Sequence, residues 1–222
     1  MAKSSLITLN DPRSSASEAY RSLRTNLVFS SLENTLHTVL VTSPAPGEGK
    51  STALANLAVT MAQSGKRTLI VDTDLRRPTQ HEIWGIPQEP GLTNMIVGDV
   101  TNPPIIATEV ESLSVLPTGA RPPNPADLLG SARMAGLIET IKAQADFVLF
   151  DAPPIIAVTD AALLAAHLDG VLLVLRAGST RREHAAQAKE QLDRLNIRII
   201  GSVLLNAQVE AGMGSYYTES GQ

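Results

Sequence analysis

The chain of 222 residues contains no cysteine, which excludes a disulfide framework and fits a reducing compartment. An excess of basic residues is also missing, because the formal net charge is −4 and the pI is about 5.6. A protein that binds nucleic acid without sequence preference relies on a basic surface. We therefore expect no nucleic-acid partner.

Long hydrophobic runs are absent as well. No uninterrupted apolar segment approaches the roughly 20 residues that span a bilayer, and residues 1–10 lack the charged start and apolar middle of a signal peptide. We expect a cytoplasmic protein that is recruited to the inner face of the cell membrane only through a partner. The histidines show no metal-ligand spacing and are interpreted as structural or solvated: His37, His81, His167 and His184.

What the chain does have is a glycine-rich loop, SPAPGEGKST, at residues 43–52. Apolar residues 38–41 precede it and helix-forming residues 53–63 follow it, which is the setting of a phosphate-binding loop. Lys50 is placed to reach the β and γ phosphates, and the Ser51 hydroxyl stands where a magnesium ligand belongs. The backbone amides that can converge on phosphate oxygens are those of Gly47, Glu48, Gly49, Lys50, Ser51 and Thr52.

The loop is a variant of the standard pattern GxxxxGK[ST], because Pro44 stands where the first glycine belongs. A Gly-Lys-Ser triplet alone is a weak signal, since it also arises by chance at strand ends. The preceding strand and the following helix favour the phosphate-binding interpretation.

Two apolar segments end in acidic residues. Residues 66–74, KRTLIVDTD, predict a buried strand that ends in Asp72 and Asp74, and residues 146–151, DFVLFD, predict another that ends in Asp151. The second segment is a Walker B pattern, in which the carboxylate orders magnesium through its water shell. Open α/β sheets bind ligands at the carboxyl ends of their strands. We therefore expect these carboxylates to approach one crevice.

The remaining chain alternates between helix and strand signals. We predict one α/β domain over residues 1–206 with a mostly parallel central sheet and helices on both faces, because the strands are apolar throughout. The predicted strands cover 38–41, 66–74, 113–117, 146–151, 170–175 and 197–206. The predicted helices cover 15–30, 53–63, 93–97, 126–143, 160–167 and 179–195.

Both ends are predicted to pack less well than the middle. Residues 1–13 have little apolar periodicity and predict an arm that is flexible or ordered on docking. Residues 207–222 predict a flexible tail. That tail holds two of the three tyrosines, Tyr216 and Tyr217, although a flexible tail has nothing to pack aromatic rings against.

Charged residues recur every three positions on the helix predicted over 15–30, at Glu18, Arg21 and Arg24. At this spacing they line one stripe of the helix. The stripe predicts either a solvated face with internal ion pairs or a contact between subunits.

Four motifs together resemble the cytoplasmic kinase domain of bacterial tyrosine kinases, the family of capsule and exopolysaccharide biosynthesis. The motifs are PGEGKST, LIVDTDLRRP, FVLFDAPP and EAYRSLR, and the resemblance extends over residues 17–206. It implies a P-loop NTPase fold with ATP and Mg²⁺ as cofactors. It also implies an ATP-dependent protein-tyrosine kinase that phosphorylates Tyr216 and Tyr217 in trans and regulates polysaccharide polymerisation and export.

The resemblance also implies individual roles. Asp72 would be the base that accepts the phenolic proton, and Asn206, at the end of the family-like segment GSVLLN, would contact the nucleotide. The implied catalytic residues are Lys50, Asp72, Asp74 and Asp151. The implied magnesium ligands are Ser51, Asp74 and Asp151.

The segment EAYRSLR matches the family's oligomerisation motif ExxRxxR at Glu18, Arg21 and Arg24, which implies a homo-oligomer, with a ring expected. Other implied partners are a membrane chain-length-determinant or activator protein and protein tyrosine substrates. The chain departs from the family in having only two tail tyrosines and no membrane-spanning domain. The second departure resembles a split arrangement with a separate membrane activator, and a domain excised from a longer protein would have the same sequence.

Two other functions stay open on sequence alone. Partition and septum-placement ATPases share the fold and the variant loop, but their signature lysine is replaced here by Ala45. The other alternative is an ATP-dependent assembly switch that regulates a polysaccharide export partner without phosphorylating tyrosine. The small number of tail tyrosines keeps that alternative open.

Overall fold

The computed structural model describes residues 6–30, 36–100 and 102–207. The predicted acceptors Tyr216 and Tyr217 lie outside these residues. The strands are β1 (Thr38–Thr42), β2 (Thr68–Asp72), β3 (Ile106–Ala107), β4 (Leu113–Leu116), β5 (Phe147–Asp151), β6 (Gly170–Arg176) and β7 (Ile199–Leu205). The helices are α1 (Ile7–Asn10), α2 (Ser15–Ser30), α3 (Lys50–Gln63), α4 (Gln80–Trp84), α5 (Leu92–Val97), α6 (Pro125–Leu129), α7 (Ala132–Lys142), α8 (Asp160–Ala165) and α9 (Arg182–Arg194).

The strands form one seven-stranded sheet in the order β3-β4-β2-β5-β1-β6-β7. All neighbouring pairs are parallel except β3 with β4. Strands β1, β2 and β5 are buried at every residue, as parallel strands covered on both faces must be. The predicted mostly parallel α/β fold is therefore confirmed.

Two hydrophobic clusters cover the two faces of the sheet. Successive strand residues point to opposite faces, so Leu40 packs in one cluster with α5, α7, α8 and α9, whereas Val39 and Val41 pack in the other with α2 and α3. Helix α3 is buried from Ala53 to Ala62. Its burial fixes the start of the helix against the end of β1, where the glycine-rich loop lies.

Of the two alternatives for residues 1–13, an arm ordered on docking fits the part that the structure describes, and a flexible arm does not. Leu6 is fully buried, and α1 follows it. The backbone N–H and the hydroxyl of Thr8 both donate to Asn56 Oδ1 on α3, at 3.0 and 2.8 Å. One buried leucine and a one-turn helix give no periodic signal, so only these tertiary contacts reveal the element.

The single helix predicted over 126–143 is two helices, α6 and α7. The break lies at Gly130 and Ser131, where the Ser131 hydroxyl accepts a hydrogen bond from Met134 N at 3.2 Å and caps α7. Serine at this position stabilises a helix start by satisfying a free N–H group. The predicted helix over 15–30 matches α2. No helix among the described residues is long and apolar enough to cross a membrane.

Candidate active site

The glycine-rich loop joins β1 to α3 in the conformation that its glycines permit. Gly47 and Gly49 have φ angles of +79° and +86°, which residues with side chains rarely adopt. A Cβ on Gly49 would also come within 2.9 Å of the Leu205 side chain. The loop therefore leads directly into the first turn of α3, whose free N–H groups and positive end favour an anion.

Lys50 brings the predicted site residues together. Its ammonium lies 3.0 Å from Asp74 Oδ2 and 3.1 Å from Asp151 Oδ1, and it donates to Ser51 Oγ at 3.1 Å. Burial alone would lower the pKa of Lys50, but the charges of Asp151 and Asp74 outweigh it and raise that pKa. The ammonium is therefore charged throughout the physiological pH range.

Asp72 is fully buried, like Asp151. Its carboxylate accepts hydrogen bonds from the backbone N–H groups of Asp74, Thr79 and Gln80, at 3.2, 3.1 and 3.0 Å. Burial, together with the charge of Asp151, raises the pKa of Asp72 to about 7. Asp72 thus holds the segment that follows β2, and it does not line the cleft described below.

The Glu48 side chain points away from the predicted phosphate position. Its Oε2 accepts from Ala45 N at 3.1 Å, and its Oε1 accepts from the Thr180 hydroxyl at 2.6 Å. The side chain is only 2% exposed. The carboxylate therefore connects the loop to the segment before α9. Only the backbone N–H of Glu48 is left to contact phosphate, and that contact stays a prediction.

Asn206 reaches the glycine-rich loop through Arg176. Arg176 Nη1 donates to the Gly47 carbonyl at 3.3 Å. With its amide oxygen turned toward the guanidinium, Asn206 accepts from Arg176 Nε and Nη2, both at 3.2 Å. Asn206 thus lies beside the loop, and its contact with a nucleotide stays a prediction.

Sequence reasoning missed two residues that shape the site. Gln80 is fully buried and donates to Asp151 Oδ2 at 2.8 Å. Arg76 forms a bidentate pair with the fully buried Asp160, with both distances 2.9 Å, and ties the segment after β2 to the start of α8. Gln80 lies outside the four motifs, whereas Arg76 lies within LIVDTDLRRP, the motif that could have drawn attention to it.

A cleft of about 570 Å³ opens over the loop. The Thr79 hydroxyl in its wall is buried and has no hydrogen-bond partner among the described residues, so a bound ligand could supply one. Lys50, Arg76 and Arg77 contribute positive charge, which suits a polyphosphate. The lining residues are Pro46, Gly47, Gly49, Lys50, Ser51, Thr52, Asp74, Arg76, Arg77, Thr79, Glu82, Ile83, Pro153, Pro154, Ala157 and Val158.

The oxygen atoms around Lys50 also suit a magnesium ion. In the part of the chain that the structure describes, no three His, Asp or Glu side chains converge to hold a metal by themselves. Mg²⁺ does not need such a cage, because it commonly binds through one or two carboxylates together with substrate phosphates. The Lys50 ammonium already places a cation about 3 Å from Ser51, Asp74 and Asp151 oxygens. The donor set therefore fits the predicted ion.

The charged stripe on α2 makes contacts within the chain. Arg21 Nη1 lies 2.6 Å from Glu18 Oε2, and Arg21 also donates to the Pro12 carbonyl. Arg24 donates to the Thr60 carbonyl on α3 at 3.0 Å. These bonds hold α2 in place, and the role of the stripe between subunits stays a prediction.

A buried strand, a glycine-rich loop with Lys50 and Ser51, a helix start and strand-end acids together define a P-loop NTPase, a nucleotide-binding protein. The AAA domain family matches residues 37–198. The chain is 42% identical to the tyrosine-protein kinase YwqD of Bacillus subtilis over 200 residues, which cover 90% of this chain and 84% of YwqD. It is 39% identical to the tyrosine-protein kinase CpsD of Streptococcus agalactiae, covering 84% of this chain and 82% of CpsD.

A solved structure supports the same assignment. The kinase domain of the Escherichia coli tyrosine kinase ETK matches with a TM-score of 0.88 and 32% identity, covering 93% of this chain and 81% of that chain. The chain therefore belongs to the bacterial tyrosine-kinase family. It spans only 28% of the tyrosine-protein kinase wzc of Salmonella typhimurium, to which it is 34% identical. The septum site-determining protein MinD of Pyrococcus horikoshii, at 21% identity and a TM-score of 0.65, shares the fold alone.

Proposed function

We propose that the protein is an ATP-dependent protein-tyrosine kinase that phosphorylates its own C-terminal tyrosines in trans. The observation that carries the proposal is the cluster in which Lys50 binds Ser51 and Asp74, which line the cleft, and the fully buried Asp151. Its support is the identity of about 40% to named tyrosine-protein kinases over most of both chains. The kinase would regulate capsular or exopolysaccharide polymerisation and export.

ATP would place its phosphates on the glycine-rich loop and the start of α3. Lys50 would then turn from the two carboxylates to the phosphate oxygens, because the phosphates of ATP carry more negative charge. Ser51 would ligate Mg²⁺ directly, while Asp74 and Asp151 would hold its water shell. An ion held by these residues would supply charge neutralisation for the transferred phosphoryl group.

Asp72 is the proposed base. A free phenol has a pKa of about 10 and attacks poorly at neutral pH unless a base accepts its proton. A pKa of about 7 suits Asp72 for this task. Oδ2 accepts from the backbone N–H groups of Thr79 and Gln80, whereas Oδ1 accepts only from that of Asp74. Oδ1 therefore keeps an acceptor site and is the oxygen that would take the proton.

The position of the tail supports Tyr216 and Tyr217 as acceptors. Strand β7 ends at Leu205, whose side chain lies beside Gly49, so the tail begins next to the glycine-rich loop. Nine residues lie between Asn206 and Tyr216, so the ten steps that join them can span at most roughly 35 Å. Transfer in trans therefore requires that assembly bring a second cleft within this distance of the end of β7.

Assembly would bring the acceptor and the cleft of different subunits together. The proposed homo-oligomer, a ring, is held through Glu18, Arg21 and Arg24. A membrane chain-length-determinant or activator protein would recruit the kinase to the inner face of the cell membrane, and further protein tyrosines would serve as substrates. The acidic charge of −4 supports the absence of a nucleic-acid partner.

A mixing experiment tests transfer between subunits. A Lys50→Met protein with its tail is incubated with an active protein that is truncated before Gly214, together with ATP and Mg²⁺. We expect phosphotyrosine on the tail of the Lys50→Met protein, measured by mass spectrometry. ATP turnover without phosphotyrosine, with the membrane activator present, would instead favour the assembly-switch alternative.

A further inference from the structure

Gln80 connects three parts of the active site. It is fully buried as the first residue of α4. Its backbone N–H donates to Asp72 Oδ2 at 3.0 Å, and its side-chain Nε2 donates to Asp151 Oδ2 at 2.8 Å and to the Ser51 carbonyl at 3.2 Å. We propose that Gln80 is a positioning residue that fixes the Asp151 carboxylate for magnesium and couples that carboxylate to Trp84. This inference rests on the proposed function.

The hydrogen bonds of Gln80 determine which way its amide points. The two N–H donors face the Asp151 carboxylate and the Ser51 carbonyl, which can only accept. The amide oxygen accepts from the indole N–H of Trp84 at 3.1 Å. A reversed amide would place oxygen against two acceptors and N–H groups against an indole donor. Since unpaired buried polar groups are costly, the side chain is held in one orientation.

The orientation of the Asp151 carboxylate depends on Gln80, whereas that of the Asp74 carboxylate does not. Within the described residues the Asp151 carboxylate has two donors, Lys50 on Oδ1 and Gln80 on Oδ2. Asp74 has a backbone donor, because its Oδ1 accepts from Arg77 N at 3.0 Å. When phosphate draws Lys50 away, Gln80 is the donor that keeps the Asp151 carboxylate oriented and leaves Oδ1 free. Groups that orient metal-binding carboxylates commonly change metal affinity or activity by about 10- to 100-fold when they are removed.

Trp84 is a built-in reporter of this contact. It is the only tryptophan of the chain, so its indole N–H gives one identifiable signal in a proton–nitrogen spectrum. That N–H is bonded to Gln80, whose amide is bonded to Asp151. A change at the Asp151 carboxylate therefore shifts the Gln80 amide and, with it, the Trp84 signal.

Gln80→Met tests the proposal because methionine keeps the length of the side chain and removes its hydrogen bonds. Gln88→Met is the matched control, since Gln88 donates through the same amide group to the Gly119 carbonyl at 2.8 Å, outside the cleft wall. ADP affinity is measured by calorimetry with Mg²⁺ and with EDTA. In the parent, Mg²⁺ should raise the affinity for ADP. We expect this increase to be about 10- to 100-fold smaller in Gln80→Met, while the affinity in EDTA stays unchanged. Gln88→Met should match the parent in both conditions.

The parent supplies a second measurement that needs no variant. Adding Mg²⁺ to its ADP complex should move the Trp84 indole signal, and the same addition to Gln88→Met should move it equally. An equal Mg²⁺ gain in the parent and in Gln80→Met overturns the role of Gln80, and so does an indole signal that does not move. If Gln80→Met does not fold, the parent's indole signal decides. A parent that binds no ADP in either condition would instead contradict the proposed function.

Discussion

Replacing Lys50 by methionine removes the ammonium that pairs with two buried carboxylates. Its ammonium bridges Asp74 and Asp151 at 3.0 and 3.1 Å, and the three side chains are 12%, 5% and 0% exposed. Removing one partner of a buried ion pair costs about 3–5 kcal/mol, because the other charge stays buried without compensation. Domains of this kind are stable by about 5–15 kcal/mol, so we expect the Lys50→Met protein to fold and to be less stable by about that amount at pH 8.

The loss should shrink as the pH falls. The charge of Lys50 lowers the pKa of the buried Asp72, so without the ammonium Asp72 binds a proton more readily in the folded state and still releases it in the unfolded state. The folded state then binds more protons than the unfolded state, so the free energy of unfolding decreases as pH rises and recovers toward acidic pH.

Turnover of the Lys50→Met protein should fall by a factor of about 10² to 10³ or more, since Lys50 compensates phosphate charge.

Urea unfolding of the parent and the variant at pH 5.5 and pH 8, followed by Trp84 fluorescence, measures this effect. Lys189→Met is the matched control, because Lys189 is 67% exposed and pairs with Asp193 on the surface of α9. Such exposed pairs contribute about 0.5 kcal/mol or less, at both pH values. A Lys50→Met protein as stable as the parent at pH 8 would contradict the buried cluster.

Two further predictions concern the pH response and assembly. Burial raises the pKa of Asp72 to about 7 in the fold, above its value of about 3.9 in the unfolded chain. As pH rises between these values, Asp72 should therefore lower the free energy of unfolding by on the order of 1 kcal/mol per pH unit. Urea titrations of Asp72→Asn should lack this slope, and an equal slope in both proteins would refute the raised pKa. Changing Arg21 and Arg24 together to alanine should shift an oligomer toward monomer in light scattering, because a ring repeats each weakened contact. Arg181 and Arg182 changed to alanine provide the control, and an unchanged mass for the α2 variant would return that stripe to the solvated-face interpretation.

The meeting of the strand-end acids was predictable because the carboxyl ends of parallel strands lie at the same edge of the sheet. Asp72 and Asp151 lie at the paired ends of β2 and β5, and Lys50 follows the end of β1, the other neighbour of β5. Each apolar strand and the glycine-rich loop can be recognised from a short stretch of sequence. The family, the fold and the contact between the loop and these acids were therefore predictable from the sequence.

The missed features depend on contacts between distant parts of the chain. Gln80 meets Asp151 across 71 positions, and Glu48 turns to Thr180 across 132 positions, so neither orientation has a local signal. The break between α6 and α7 is different. A glycine followed by a capping serine, Gly130-Ser131, is a local signal for a new helix start, so this break was predictable from the sequence.

The most direct test of the central claim is the phosphorylation state of tryptic peptide 199–222. This peptide follows Arg198, the last basic residue of the chain, and contains Tyr216 and Tyr217. After incubation of the purified protein with ATP, Mg²⁺ and the membrane activator, we expect phosphotyrosine in this peptide, and none in the peptide from Lys50→Met treated alone in the same way. Hydrolysis of ATP by the parent under these conditions, with peptide 199–222 left unmodified, would show that the tail is not the acceptor.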